Sequence, residues 1–91
     1  MEKINICTSD GVVTKITDLG YGKVEVKVYD TSTNMNLFKI LYAFDNPFQE
    51  GDSIDIDYNV VGRIVDGKLS GRFDFEFRTK VLVDAPACGL K

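Results

Sequence analysis

The best candidates in the sequence for a catalytic or metal-binding site are five carboxylates. They are Asp52, Asp55, Asp57, Asp74 and Glu76. A close pair such as Asp57 and Glu76 could bind a divalent cation or share a proton. Acids at alternate positions are also what the solvent face of an ordinary amphipathic strand carries. We therefore interpret these carboxylates as surface charges and expect no metal site.

Other groups that catalysis needs are missing. The sequence contains no histidine, the commonest general base and a frequent metal ligand. It has no Gly-x-Ser-x-Gly elbow, no phosphate-cradling loop and no dinucleotide fingerprint. Gly20-Tyr21-Gly22 matches only part of the dinucleotide fingerprint, and it precedes a predicted strand rather than a helix. The sequence predicts a protein that is not an enzyme and has no cofactor.

Length and composition predict a single domain spanning residues 1–91, with a core at about 10–84. The hydrophobic fraction of 44% and the charged fraction of 27% are ordinary for a globular protein. No apolar run approaches the roughly 18 residues of a membrane span, and the first residues lack the apolar segment of a secretory signal. We expect a cytoplasmic protein of a microbe, or of a virus in its host's cytoplasm, without membrane contact.

The two cysteines, Cys7 and Cys88, stand near opposite ends of the chain. Disulfides are unusual in a reducing compartment, and two thiols without histidine do not make a zinc site. We expect two unreactive thiols, while a disulfide between them stays open.

The net charge of −3 argues against a strong, indiscriminate affinity for nucleic-acid phosphates. The charge is unevenly spread, however. Residues 31–60 carry one basic and five acidic side chains, whereas residues 61–91 carry six and four. A local basic surface is therefore compatible with the acidic total.

Strand signals dominate the chain, because β-branched and aromatic residues are frequent and no segment has helical periodicity. We predict five strands, at residues 11–17, 23–29, 37–44, 53–65 and 68–83. In the second, valines alternate with charged and aromatic residues, which is typical of a half-buried strand. The third is apolar on both faces, and we predict that Phe38, Tyr42 and Phe44 lie in the core rather than on a binding surface.

The fourth and fifth strands flank Asp66-Gly67, a dipeptide typical of the type I′ turn of a β-hairpin. This turn predicts that Tyr58 pairs with Phe75 and Gly62 with Gly71. A slip by one residue would turn the phenylalanines to the polar face. The register gives an inner face of Ile54, Ile56, Tyr58, Val60, Phe73, Phe75 and Phe77, with a corner at the glycine pair.

The order of these elements resembles the oligonucleotide/oligosaccharide-binding (OB) fold. It has a glycine-rich connection after the first strand, an apolar third strand, Gly51-Asp52 before the fourth and a terminal hairpin. Residues 50–68 are similar to the final hairpin of small single-stranded-DNA-binding proteins of bacteria and phages. The resemblance implies an all-β, five-stranded OB-like Greek-key β-barrel with a long C-terminal hairpin.

The resemblance also implies binding to single-stranded nucleic acid, above all DNA, and a role in DNA replication, in a phage or mobile element. Such binding needs cations for the backbone and aromatic faces for the bases. The candidates lie on the second and third strands, in the first turn and around the last hairpin. They are Tyr21, Lys23, Lys27, Tyr29, Lys39, Arg63, Lys68 and Arg72.

An alternative is a protein-interaction barrel, for example a small viral or accessory subunit that docks on a host or replication protein. Leu41, Val61, Val65 and Leu82 fall on the face predicted to point outward. Apolar residues there suggest a surface covered by a partner or by a second copy. A homodimer is compatible with either hypothesis.

Overall fold

Five antiparallel strands make up the described part of the protein, residues 2–80 of a computed structural model. The strands are β1 (Glu2–Gly20), β2 (Lys23–Asp30), β3 (Met35–Tyr42), β4 (Ser53–Val65) and β5 (Lys68–Thr79). One turn of 3-10 helix, Ala43–Asp45, follows β3. The strand order in the single sheet is β3-β2-β1-β4-β5. The prediction of an all-β, five-stranded OB-like fold is confirmed.

The long strand β1 lies at the centre of the sheet and belongs to both of its halves. Its second part pairs with β2 from Gly11 onward, and its first part pairs with β4 up to Val12. Register shifts interrupt both pairings, and such bulges bend a strand. The sheet therefore curls into a half-barrel. The sequence predicted only residues 11–17 of β1, so its first part was missed.

The two edge strands, β3 and β5, are not hydrogen-bonded neighbours in the sheet. Side chains bridge the gap between them. Lys39 Nζ lies 3.3 Å from Asp74 Oδ1 and 4.8 Å from the ring centroid of Phe75. From the connection before β4, Phe48 packs its ring edge-on against Phe77. We call this gap the β3–β5 seam.

The core lies inside the curl and consists mainly of β-branched side chains. Its buried members are Val13, Val24, Val26, Val28, Phe48, Ile54 and Ile56. Leu37, Leu41, Tyr58, Phe75 and Phe77 pack against them while only partly buried. The predicted inward face of β2 is confirmed.

The β4–β5 hairpin has the predicted register, with Tyr58 opposite Phe75 and Gly62 opposite Gly71. Both turn residues have positive φ, 52° at Asp66 and 75° at Gly67, as a type I′ turn requires. A Cβ atom at Gly71 would lie 2.6 Å from the Val61 carbonyl oxygen. The glycine pair thus permits a close approach that no other residue would allow.

Part of the β4–β5 hairpin extends beyond the core. Phe73 was predicted to be in the core, but 76% of its surface is exposed. The core residues of β4, Ile54 and Ile56, lie near its start, so Phe73 reaches past them. Its predicted burial is wrong because strand alternation fixes the face of a residue but not how far the opposing layer extends.

Cys7 in β1 is disulfide-bonded, so the expectation of a free thiol is wrong for this residue. Cys88, the other cysteine of the sequence, lies outside the described residues. The same holds for the predicted end of the fifth strand at residues 81–83, Leu82 included. No helix within residues 2–80 is long and apolar enough to cross a membrane.

Candidate nucleic-acid interface

The register between β2 and β3 builds an outer surface from two parallel rows of side chains. Tyr42 lies opposite Lys23, Ile40 opposite Glu25, and Phe38 opposite Lys27. Alternation along β2 sends its valines into the core and these partners outward. We call this surface the β2–β3 outer face; its members are Lys23, Glu25, Lys27, Tyr29, Phe38, Ile40 and Tyr42.

The aromatic rings of β3 lie on this outer face, so their predicted core location is wrong. Phe38 is 50% exposed, Tyr42 is 55% exposed, and Phe44 in the 3-10 helix is 86% exposed. Leu37 and Leu41 point inward instead, because they pair with Val28 and Val24. A strand that is apolar on both faces has no alternation of its own, so its neighbour decides which face is buried.

Two lysines of β2 lie over rings of β3. Lys23 Nζ is 5.7 Å from the ring centroid of Tyr42, and Lys27 Nζ is 5.8 Å from that of Phe38. Both distances are within the range of cation–π attraction. Tyr42 and Phe44 stack on each other, with centroids 5.6 Å apart and planes inclined by 23°. Exposed rings and ammonium groups therefore occur side by side.

Tyr21 occupies the tip of the β1–β2 hairpin, in the turn where the sequence placed it, and is fully exposed. Its φ angle is 55°, and Gly20 and Gly22 on either side also have positive φ. The turn directs the side chain away from the protein, beyond the end of β2 where Lys23 begins.

The other predicted contacts on β2 and β3 differ in their surroundings. Tyr29 lies on the outer face, where its hydroxyl donates a hydrogen bond to Asn34 Oδ1. Lys39 has the opposite orientation to Lys23 and Lys27. It points into the β3–β5 seam and pairs with Asp74, so it does not join the outer face.

Arg63, Lys68 and Arg72 form a second group of cations on the distal part of the β4–β5 hairpin. All three are exposed. Arg63 and Arg72 border a shallow depression whose floor contains Gly62 and Gly71. None of the three forms an ion pair with any described residue. No hydrogen bond or ion pair among residues 2–80 joins this group to the β2–β3 outer face.

Lys15 in β1 was not predicted as a contact, although it lies opposite Lys27 and is exposed. The pairing follows an irregularity between Val13 and Lys15, which a simple alternating pattern does not reveal. Across the part of the chain that the structure describes, Lys15, Lys23 and Lys27 make no ion pair. They add positive charge to the outer face.

Four of the five carboxylates in the acidic cluster form ion pairs: Asp55, Asp57, Asp74 and Glu76. Arg78 donates to both oxygens of Asp57, with distances of 2.7 and 3.0 Å, and Lys80 Nζ lies 2.8 Å from Asp55. The hydrogen bonds from Arg78 hold the pKa of Asp57 below its usual range, against the opposing effect of burial. No group of three or more potential ligands in residues 2–80 is arranged to hold a metal ion. Asp55 is buried, so its interpretation as a surface charge is wrong.

A buried carboxylate, Asp30, fixes the connection between β2 and β3. It accepts hydrogen bonds from Ser9 Oγ at 2.7 Å, from the Tyr58 hydroxyl, and from the amides of Ser32 and Thr33. Burial raises the pKa of Asp30, but these hydrogen bonds together outweigh it, so the pKa lies below its usual range. The Tyr58 pKa is raised by burial and by Asp30. No local sequence pattern indicates that Ser9 and Tyr58 join Asp30, because they lie 21 and 28 residues away from it in the chain.

Comparisons of the chain with protein-family models, with curated proteins and with solved structures found no match. A proposal about function therefore depends on the geometry and chemistry of the surface itself.

Proposed function

We propose that the protein is a non-enzymatic single-stranded nucleic-acid-binding protein whose site is the β2–β3 outer face. The observation that carries the proposal is the pairing of Lys23 with Tyr42 and of Lys27 with Phe38, all at the surface. Single strands bind to sites that combine cations for the phosphates with aromatic faces for the bases. Stacking contributes about 1–3 kcal/mol per base and needs no particular base identity.

The distribution of charge supports the same proposal in spite of the net charge of −3. Asp10, Asp55 and Asp57 are engaged by Arg78 and Lys80. The lysines of the outer face have no such partners among the described residues, so they can release counterions on binding phosphates. A local basic surface thus coexists with carboxylates that are paired with cations elsewhere in the sheet.

The finer parts of the proposal draw on the resemblance to small bacterial and phage single-stranded-DNA-binding proteins. They are DNA as the ligand, DNA replication as the process, a phage or mobile element as the source, a homodimer and a cytoplasmic location. Disulfides are rare in reducing compartments, so the disulfide of Cys7 argues against a cytoplasmic location.

Fluorescence anisotropy with a labelled oligothymidine tests the proposal. We expect binding at low salt that weakens steeply as salt rises, because phosphate contacts release counterions. Lys27→Ala should weaken binding, whereas Lys3→Ala, which changes the net charge equally but removes a lysine paired with Glu76, should not. Absence of binding at low salt with micromolar protein would refute the proposal.

A protein-interaction surface is the second candidate, favoured by Ile40, which is 58% exposed between the two aromatic rings. Two of the residues that suggested this candidate from the sequence do not support it. These two are Leu41, which points inward, and Val61, which is half-buried. Val65 is exposed, as this candidate expects. Light scattering coupled to size exclusion distinguishes the two candidates. A dimer that Ile40→Lys dissociates, in a protein that binds no oligonucleotide, would favour an interface.

A further inference from the structure

The β2–β3 outer face contains two pairs in which a lysine of β2 lies over an aromatic ring of β3. At one end of β3, Lys23 lies opposite Tyr42 and over its ring; toward the other end, Lys27 lies opposite Phe38 in the same way. The two distances from ammonium to ring centroid, 5.7 and 5.8 Å, are nearly equal. Each arrangement therefore offers an exposed ring and a cation in the same relative placement.

The residues between these two pairs on the outer face lack both an aromatic ring and a positive charge. Glu25 lies opposite Ile40, so the middle of the face has neither a ring nor a cation. A carboxylate repels a phosphate, and an aliphatic side chain gives a base no π face on which to stack. The favourable chemistry is thus interrupted rather than continuous along β3.

The separation of the two pairs sets the length of strand that can reach both. Phe38 and Tyr42 are four residues apart on one strand, which corresponds to about 13 Å at roughly 3.3 Å per residue. Neighbouring bases of a stacked strand are roughly 3.4 Å apart, and unstacked bases are further apart. The separation of Phe38 and Tyr42 therefore corresponds to no more than about four nucleotide steps.

We infer that the site consists of two base-binding subsites, the Lys23–Tyr42 pair and the Lys27–Phe38 pair, which a single strand occupies together by running along β3. This inference rests on the proposed function and adds the path and the minimum length of the ligand. Phe44, stacked on Tyr42, extends the first subsite. A strand too short to reach both subsites binds at only one of them.

A length series of unlabelled oligothymidines, from the dinucleotide to the decanucleotide, tests the inference by competition against a labelled oligothymidine. In the wild type we expect affinity to rise about tenfold or more over the lengths at which a strand first reaches both subsites. In Phe38→Leu and Tyr42→Leu, which keep an apolar side chain but lose the ring, this rise should disappear. Dinucleotide affinity should fall only about twofold, because one of two equivalent places remains.

Phe73→Leu is the matched control, because Phe73 is more exposed than either ring but lies on the distal hairpin. It should leave the length dependence unchanged. Circular dichroism verifies that the variants fold. Glu25→Gln provides a second measurement: removal of the central charge should tighten binding of long strands a few-fold and leave the dinucleotide unchanged.

A smooth rise of affinity with length, equal in the wild type and in both ring variants, would overturn the two-subsite inference while leaving the proposed function standing. An unchanged long-strand affinity in Glu25→Gln would contradict the path along β3. If no oligothymidine of any length binds, both the inference and the proposed function fail.

Discussion

Tyr21 has a backbone conformation that folding alone would not select for this residue. Its φ of 55° belongs to the left-handed region, which costs a residue with a Cβ about 1–2 kcal/mol and suits glycine or asparagine better. The fully exposed ring makes no compensating contact through burial. An aromatic residue at this tip is therefore easier to explain by contact with a ligand than by stability.

Two substitutions separate the backbone of Tyr21 from its ring. Tyr21→Asn should raise the free energy of unfolding by about 0.5–1 kcal/mol, because asparagine tolerates positive φ, whereas Tyr21→Ala should leave it nearly unchanged. Both should weaken oligothymidine binding, since both lack the ring. Urea unfolding and anisotropy measure the two effects. Wild-type affinity in Tyr21→Asn would exclude a role for the ring in binding.

The β4–β5 hairpin shows how two glycines in one element have different tasks. Gly67 lies in the turn with φ of 75°, and a Cβ atom added there would have no atom within 4 Å outside the neighbouring residues. Gly62 faces Gly71 across the hairpin, and a Cβ atom at Gly62 would lie 2.6 Å from the Gly71 Cα atom. The first glycine is needed for its backbone angle and the second for the space that it leaves.

Replacing each glycine by alanine should therefore have different costs. We expect Gly67→Ala to lower the free energy of unfolding by about 1 kcal/mol, through backbone strain alone. Gly62→Ala should cost about 2–3 kcal/mol, because the two strands must move apart to admit the methyl group. Urea midpoints measured on both variants provide the comparison. Equal losses would show that the strands separate without strain at the glycine pair.

Within the described residues, charged groups have different surroundings on two opposite parts of the sheet. On the outer side of β1, β4 and β5, Asp57 accepts hydrogen bonds from Arg78 and from Thr8, which joins all three strands. On the outer side of β2 and β3, Lys23 and Lys27 lie over aromatic rings instead. The first arrangement stabilises the fold, whereas the second contains lysines that form no ion pair with any described residue and that the proposed function assigns to phosphate binding.

Asp57 should make stability depend on acidity. Its folded pKa lies below the unfolded value of 3.8, so its contribution is present above about pH 4 and is lost as the pH falls through the folded pKa. Asp57→Asn should lower the free energy of unfolding by about 2–3 kcal/mol at neutral pH, because it removes the carboxylate that accepts two hydrogen bonds from Arg78 and leaves only the longer ion pair with Asp55.

Urea unfolding from neutral to acidic pH measures this dependence. The difference between wild type and Asp57→Asn should shrink toward the acidic end, as the wild type becomes protonated. Glu25→Gln, which removes a carboxylate that makes no ion pair with any described residue, should change stability by no more than about 0.5 kcal/mol. A difference between wild type and Asp57→Asn that persists unchanged at low pH would contradict the assigned role.

The sequence by itself determined the features that depend on local chemistry. Asp66-Gly67 specified a type I′ turn, and the alternation on either side then left one register, which the structure has. The valines of β2 identified the buried face of that strand, and the glycines around Tyr21 identified an exposed turn. Each of these follows from neighbours in the chain.

Tertiary structure decided which face of β3 is buried, because Phe38, Ile40 and Tyr42 are as apolar as Leu37 and Leu41. Pairing with the valines of β2 turns the leucines inward and leaves the rings beside Lys23 and Lys27. The pairing partners of the first part of β1 and the cluster around Asp30 likewise join residues that are distant in the chain. The candidate site exists because a face without alternation takes its orientation from the strand beside it.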